Sequence, residues 1–336
     1  MDLNRLSTNE LLKVRFCDLP VTLEGTSVET RARRVFAELK ERGITFTPSI
    51  WLSEEWFNPD GVVGIAIPFY LAHPRLVRLE RKLMLEAEGV SENECLRILR
   101  HETGHAIDEA YQLSKTPDYR RVFGSANKRY PTAYTVVPQS RDFVHHLNAW
   151  YAQAHPVEDF AETFAVWLRS RRVWRRQYRD WPALAKLEAV DRWLTERAGQ
   201  PPSLKVRRPV AKLADIRRTL GEHYDEKRVF YGVGRADGLD GKLRQIFAGS
   251  VGAVCSPQKS AVSLLRTVRS ELRVDIAGPL GVSAYAVDQI LRQVILRARV
   301  LNLRHTRSTS LTVDNLRRLV SEATAELIKT SPRLPL

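Results

Sequence analysis

The segment Ser91–Leu113, SENECLRILRHETGHAIDEAYQL, constrains this chain more than any other stretch. At its centre lies His101-Glu102-Thr103-Gly104-His105, with two imidazoles four positions apart. Residues at that spacing stack on one face of an α-helix, so the two rings can act together only if the segment is helical. The rest of the segment suits a helix. Ser91 followed by Glu94 is a capping-box pattern, and Leu96, Leu99, Ala106, Ile107 and Ala110 form an apolar stripe. Two imidazole nitrogens side by side suit the ~2.0–2.1 Å bonds of Zn²⁺. Glu102, next to the first of them, is placed to reach a water on such an ion rather than the ion itself.

Two histidines do not complete a protein zinc site. A third histidine six residues beyond His105 is excluded, because Tyr111 stands there. The stretch His155-Pro156-Val157-Glu158-Asp159-Phe160-Ala161-Glu162 offers carboxylates instead. Pro156 suits the first position of a helix, and Glu158 and Glu162 would share one face of it. Glu158, in the first turn where the helix dipole favours negative charge, is the expected third ligand. Glu162, one turn on, is expected to accept the free N–H of a ligating imidazole and fix its tautomer. Asp108 shares a face with His105 and is a second candidate for that supporting role, with a capping or surface role as the alternative. Ala161 and Ala165 leave room for close approach to the first helix, while Phe160, Phe164 and Trp167 face a core. His145, His146 and His155 are expected to be structural, His155 as a cap of the Pro156 helix.

HETGHAID together with HPVEDFAETFA resembles the bacterial zinc-binding metallopeptidases of the Glu-zincin type. It is similar also to the catalytic domain of anthrax lethal factor, which shares the H-E-x-G-H…E-x-F-A-E arrangement. The resemblance covers about residues 95–170, is weaker over 44–94 and 181–197, and does not extend to 201–336. It implies a zincin-like catalytic domain in which His101, His105 and Glu158 bind Zn²⁺ and Glu102 is the general base. It further implies a catalytic tyrosine seven residues before the ligand glutamate, which here is Tyr151. Tyr130 and Tyr134 are alternatives for the same role. The implied reaction is peptide-bond hydrolysis through a metal-activated water, with a peptide or protein as substrate. The alternatives are a zinc amidohydrolase acting on a non-protein amide and a non-catalytic metal-containing binding protein.

Around this centre, 336 residues are enough for two domains. No apolar run approaches the ~18 residues of a membrane helix, and the first residues, MDLNRLSTNELLKVRF, lack the apolar core of a signal peptide. A cytoplasmic protein is expected, with no membrane partner. Cys17, Cys95 and Cys255 are scattered and form no C-x-x-C pair, which argues against a disulfide framework. The net charge of +14 is uneven: residues 201–336 hold 24 Lys and Arg against 12 Asp and Glu, and residues 1–200 hold 29 against 27. With Gln200-Pro201-Pro202-Ser203 as a break, the expected domains are 1–200 and 201–336.

The fold class expected is α+β: a small twisted sheet with the active-site helix, followed by a basic, mostly α-helical domain. Short strands are expected at 12–16 and 21–23, and longer ones at 44–52 and 62–70. Pro68 points to a sheet edge or a strand end, and a substrate backbone could add as a strand against 62–68. Helices are expected at 26–42, 76–88, 91–113, 142–154, 156–168 and from Pro182, with a long irregular loop at 114–140. Beyond the break, helices are expected near 211–228, 257–273, 283–303 and 313–330, with a loop at Gly232, Gly234, Gly238 and Gly241. Arg266, Arg269, Arg273, Arg292, Arg297, Arg299, Arg304, Arg307, Arg317 and Arg318 lie among these helices. They form either a solvated face or the footprint of an anionic partner, nucleic acid or acidic protein. The run RSRRVWRRQYR at 169–179 could instead favour acidic residues in a substrate.

Overall fold

A computed structural model describes all residues except 85–86, 131–132, 135–136, 138–139, 205–207, 231–236, 248–258, 281–283, 306–307, 331–333 and 336. Gly232, Gly234, Cys255 and Arg307 therefore lie outside the described residues. The protein is mostly helical and carries one small parallel sheet in its amino-terminal part. It divides into two compact units: Met1–Thr132 with Val137–Glu226, and Ala133–Val136 with Lys227–Leu336. Among the described residues no helix is long and apolar enough to cross a membrane.

In unit 1 the chain opens with α1 (Thr8–Leu12) and α2 (Ser27–Glu41). The strands expected at 12–16 and 21–23 do not form. Ser7 closes a full capping box on α1 and Phe16–Asp18 turns as a 3₁₀ segment, so the pairing of this stretch with 216–220 is limited to an isolated antiparallel bridge, Arg15↔Thr219. Strand β1 (Ser49–Ser53) pairs in parallel with β2 (Gly64–Pro68), in the register Ile50↔Ile65 and Leu52↔Ile67. Helix α3 (Pro74–Met84) then leads to α4 (Glu92–Tyr111), capped at Ser91 as its sequence predicts.

The expected open edge at 62–68 is closed. On the side of β2 away from β1, Phe57 O accepts from Ala66 N–H at 2.9 Å, and Asn58 Nδ2 donates to Gly64 O at 2.8 Å. Pro68 has no N–H to offer. The connector between the strands thus folds back over the outer edge of β2, and all five residues of that strand are buried.

The loop expected at 114–140 contains a helix, α5 (Pro117–Phe123). Thr116 caps it and Pro117 supplies its first turn. The helix expected at 142–154 is a 3₁₀ segment confined to Asn148–Gln153. Three helices complete the packing: α6 (Pro156–Trp167), α7 (Arg171–Gln177) and α8 (Ala183–Glu196). The main core joins α2, β1, β2, α4, α5, α6 and α8 through Val35, Leu39, Ile65, Ile67, Leu99, Ile107, Phe160, Phe164 and Val190.

The break at 200 falls inside unit 1. Leu220 and Tyr224 of α9 (Leu220–Phe230) are fully buried with Leu11, Phe16, Phe69 and Leu76, and the Tyr224 hydroxyl donates to Glu80 Oε2 at 2.7 Å. Composition located the change in charge but could not register this packing.

Unit 2 holds α10 (Asp237–Phe247), α11 (Ala261–Leu280), α12 (Ala284–Val300) and α13 (Thr309–Thr330). Helix α10 occupies ground expected to be a glycine loop, because Leu243 and Phe247 find burial against Leu265, Leu291, Val294 and Leu316. Among the described residues, five of the arginines of unit 2 are held in internal pairs. Asp288 is met by Arg269 at 2.6 Å, Arg292 at 3.2 Å and Arg273 at 3.9 Å, while Arg297 pairs with Asp240 and Arg317 with Asp275.

Candidate metal centre

Helices α4 and α6 supply the centre, and a glycine sets their separation. A Cβ on Gly104 would lie 2.9 Å from the Ala161 Cα and 3.1 Å from Phe164 Cδ1, closer than a side chain tolerates. Glycine within H-E-x-G-H and alanine within E-x-x-A-E are thus one steric device. They bring the faces that carry His101, His105, Glu158 and Glu162 into contact.

Three ligand-type atoms converge there. His101 Nε2 lies 2.9 Å from Glu158 Oε2, His105 Nε2 lies 3.3 Å from the same oxygen, and the two Nε2 atoms are 3.1 Å apart. Ligands at ~2.0–2.1 Å around a tetrahedral ion stand roughly 3.3 Å from one another, so the spacing fits Zn²⁺ with one corner left open. The chemistry of the donors fits as well. His101 Nδ1 faces Glu162 Oε1 at 2.9 Å, which places its proton on Nδ1 and leaves the Nε2 lone pair turned inward. A carboxylate oxygen and inward lone pairs at this distance repel unless a cation sits among them.

The electrostatics say the same. Burial opposes charging His101, but hydrogen bonds to Glu158 and Glu162 outweigh it and raise its pKa well above the ordinary value. Burial likewise opposes charging His105, and the Glu158 charge prevails. Burial would raise Glu158, yet the two imidazoles hold it well below the usual carboxylate range. The cluster calls for positive charge, which protons or a divalent ion would provide.

Glu162, 1% exposed, is held on both oxygens: Oε1 by His101 and Oε2 by the Leu147 N–H at 2.8 Å. Glu102 is different. Its carboxylate makes no hydrogen bond or ion pair with the described residues, and partial burial raises its pKa against the pull of His101 and His105. The backbone of Glu102 is anchored, however, because Asn58 Nδ2 donates to its carbonyl at 3.0 Å. Sequence reading missed Asn58, whose only signal was its place in a turn.

Asp108 is not bonded to His105. Its Oδ1 accepts from the Ser114 N–H at 2.7 Å, fixing the turn after α4, which was the capping alternative. Tyr151 lies over His101, with ring centroids 5.5 Å apart. The residue before it, Trp150, has φ 53°, a left-handed conformation that a large side chain adopts only when its surroundings impose it. Tyr130, the alternative, sits closer to the ligands: its hydroxyl donates to Glu158 Oε1 at 2.5 Å and lies 3.3 Å from the Tyr151 hydroxyl. Tyr134 is buried and makes no hydrogen bond to Glu158. His155 caps α6 as expected, accepting from the Val157 N–H and donating from Nε2 to Lys128 O at 3.0 Å. His146 is buried, with Nε2 2.9 Å from Arg97 O, and desolvation pushes its pKa down to about 4.

His101, His105 and Glu158 are the one group of three such side chains, among the described residues, whose ligand atoms come together closely enough to hold a metal. The model of a family described as "Putative zinc-binding metallo-peptidase" matches residues 90–177, about a quarter of the chain, from the start of α4 to the end of α7. This match covers all the residues of the centre and supports a zinc metallopeptidase. No curated protein and no solved structure matches the chain.

Proposed function

We propose that unit 1 is a zinc-dependent peptidase of zincin-like, Glu-zincin type, akin to the lethal-factor catalytic domain, with His101, His105 and Glu158 as ligands. The uncommitted carboxylate of Glu102 beside this ligand cluster carries the reading. A site that only held metal would have no use for a partly buried acid with no partner of its own. Zinc, when bound, supplies Lewis-acid polarisation of the scissile carbonyl and of the attacking water.

The chain's own residues do the rest. Glu102 takes the proton of the water as it attacks, and returns it to the departing amine. Burial raises its pKa, which makes it a better acceptor of that proton. Tyr151, aimed by the left-handed turn at Trp150, donates its O–H to the oxyanion. Glu162 keeps His101 in the tautomer that presents Nε2.

The substrate is a peptide or protein, held by contacts other than strand addition to β2. Arg172, Arg176 and Arg179 make no hydrogen bond or ion pair with the described residues. With Arg175, Leu184 and Glu188 they line a cleft of about 550 Å³, which suits acidic side chains of a substrate. Unit 2 keeps a positive excess for an anionic partner, nucleic acid or acidic protein, beyond its internal pairs. Arg244, Arg266, Arg299, Arg304 and Arg318 make no ion pair with an acidic side chain among the described residues. Free thiols at Cys17 and Cys95 fit a reducing, cytoplasmic setting.

Glu102→Gln is the test. It should bind one zinc per chain as the wild type does, and lower kcat/KM on a peptide library by roughly 10²–10⁴-fold. Hydrolysis at the wild-type rate by this variant would overturn the assignment.

A further inference from the structure

Two tyrosines stand beside the ligands, and hydrogen-bond accounting separates their tasks. A phenol carries one proton. At the 2.5 Å contact the Tyr130 hydroxyl is the donor and Glu158 Oε1 the acceptor, so the one phenol proton points at that oxygen. That proton is then unavailable to an oxyanion. Glu158 presents its other oxygen, Oε2, to both imidazoles. One oxygen faces the metal position and the other faces Tyr130.

The phenol is itself held in place. Its ring stacks on His155, with centroids 4.7 Å apart and planes 27° from parallel. His155 in turn caps α6 and donates to Lys128 O, two residues before Tyr130. The same imidazole therefore fixes the helix that carries Glu158 and the segment that carries Tyr130.

We infer that Tyr130 is a positioning residue that binds the outer oxygen of Glu158 and restricts this ligand to coordination through Oε2 alone. It would serve Glu158 as Glu162 serves His101. Without the phenol, Oε1 is free to swing onto the metal, filling the corner that water and substrate need. Hydrogen-bond partners of metal ligands typically set affinity by 10–100-fold, which fixes the size of effect to look for.

The inference rests on the zinc reading above, and its test separates the two. Zinc affinity is measured by competition with a chromophoric chelator on the full chain for wild type, Tyr130→Phe, Tyr130→Ala and Tyr151→Phe. Tyr130→Phe keeps the ring on His155 and loses only the hydroxyl. It should weaken zinc by roughly 10–100-fold, Tyr130→Ala should weaken it to the same extent, and Tyr151→Phe should leave affinity unchanged. The cobalt(II) derivative of Tyr130→Phe should also absorb more weakly in the visible, because a bidentate Glu158 raises the coordination number. Wild-type affinity in Tyr130→Phe, or a loss seen only in Tyr130→Ala, would overturn the inference. A wild type that binds zinc but cleaves no peptide would sink the peptidase reading alone. A wild type that binds no zinc would sink both.

Discussion

Glu158 of unit 1 and Asp288 of unit 2 are carboxylates of nearly equal burial, at 5% and 6% exposure. Both have pKa values held below the ordinary range against the cost of burial. They differ in what neutralises them. Asp288 is met by Arg269, Arg292 and Arg273, guanidiniums that never release a proton, so its charge is answered within the chain. Glu158 is met by two imidazoles, which can exchange a proton for a metal ion. The identity of the cationic partner, rather than the burial of the acid, separates an internal brace from a set of side chains able to hold a divalent ion.

The largest effects should come from removing the two acids in turn. Glu158→Ala should abolish stoichiometric zinc binding, read by metal analysis after dialysis, while far-ultraviolet circular dichroism stays that of the wild type. Asp288→Ala should do the reverse. It leaves three clustered, partly exposed arginines without their counter-ion, and should cost unit 2 about 1.5–3 kcal/mol in denaturant titration with zinc affinity untouched. Loss of zinc from Asp288→Ala would break the contrast.

A pH dependence of comparable or smaller size should separate the units. His146, held near 4 by desolvation, has an ordinary value near 6.5 when unfolded. As pH falls from 6.5 towards 4 the unfolded chain gains a proton that folded unit 1 refuses, so stability drops by on the order of 3 kcal/mol. His146→Gln can keep a donor towards Arg97 O and should remove this loss. All seven tryptophans lie between Trp51 and Trp193, so tryptophan fluorescence follows unit 1 alone. Asp288 has the same sign but a lower window: its contribution persists from pH 6.5 to 4 and fades only as pH falls further, through its own depressed pKa. Equal acid sensitivity of wild type and His146→Gln, followed by fluorescence in urea, would contradict the account.

The smallest effect concerns the spacing of α4 and α6. Gly104→Ala adds a methyl where the Ala161 Cα already stands 2.9 Å away. It should cost about 1–3 kcal/mol and weaken zinc in step, because both ligand helices must part. Full stability with wild-type zinc affinity would show that the helices can part without cost.

What could be read from the residues alone were features carried by local spacing. The H-E-x-G-H and E-x-x-A-E periods, the Ser91 and His155 caps and the β-branched runs each depend on neighbours within a turn or two, so the chain declares them before it folds. Helix α5 was as legible in Thr116-Pro117-Asp118 and was overlooked. The charge imbalance between the two ends could likewise be counted, although which arginines of unit 2 find an acid could not.

Tertiary packing alone decided the rest. It placed Tyr130 on Glu158 across 28 positions of sequence, closed the β2 edge with Phe57 and Asn58, and drew 201–226 into unit 1 through Leu220 and Tyr224. A hydrogen bond or a buried ring is a relation between distant residues, and its energy exists only once the intervening chain has collapsed. The sequence could specify which atoms were suited to hold a metal; only the approach of α4 to α6 brought them within reach of the same ion.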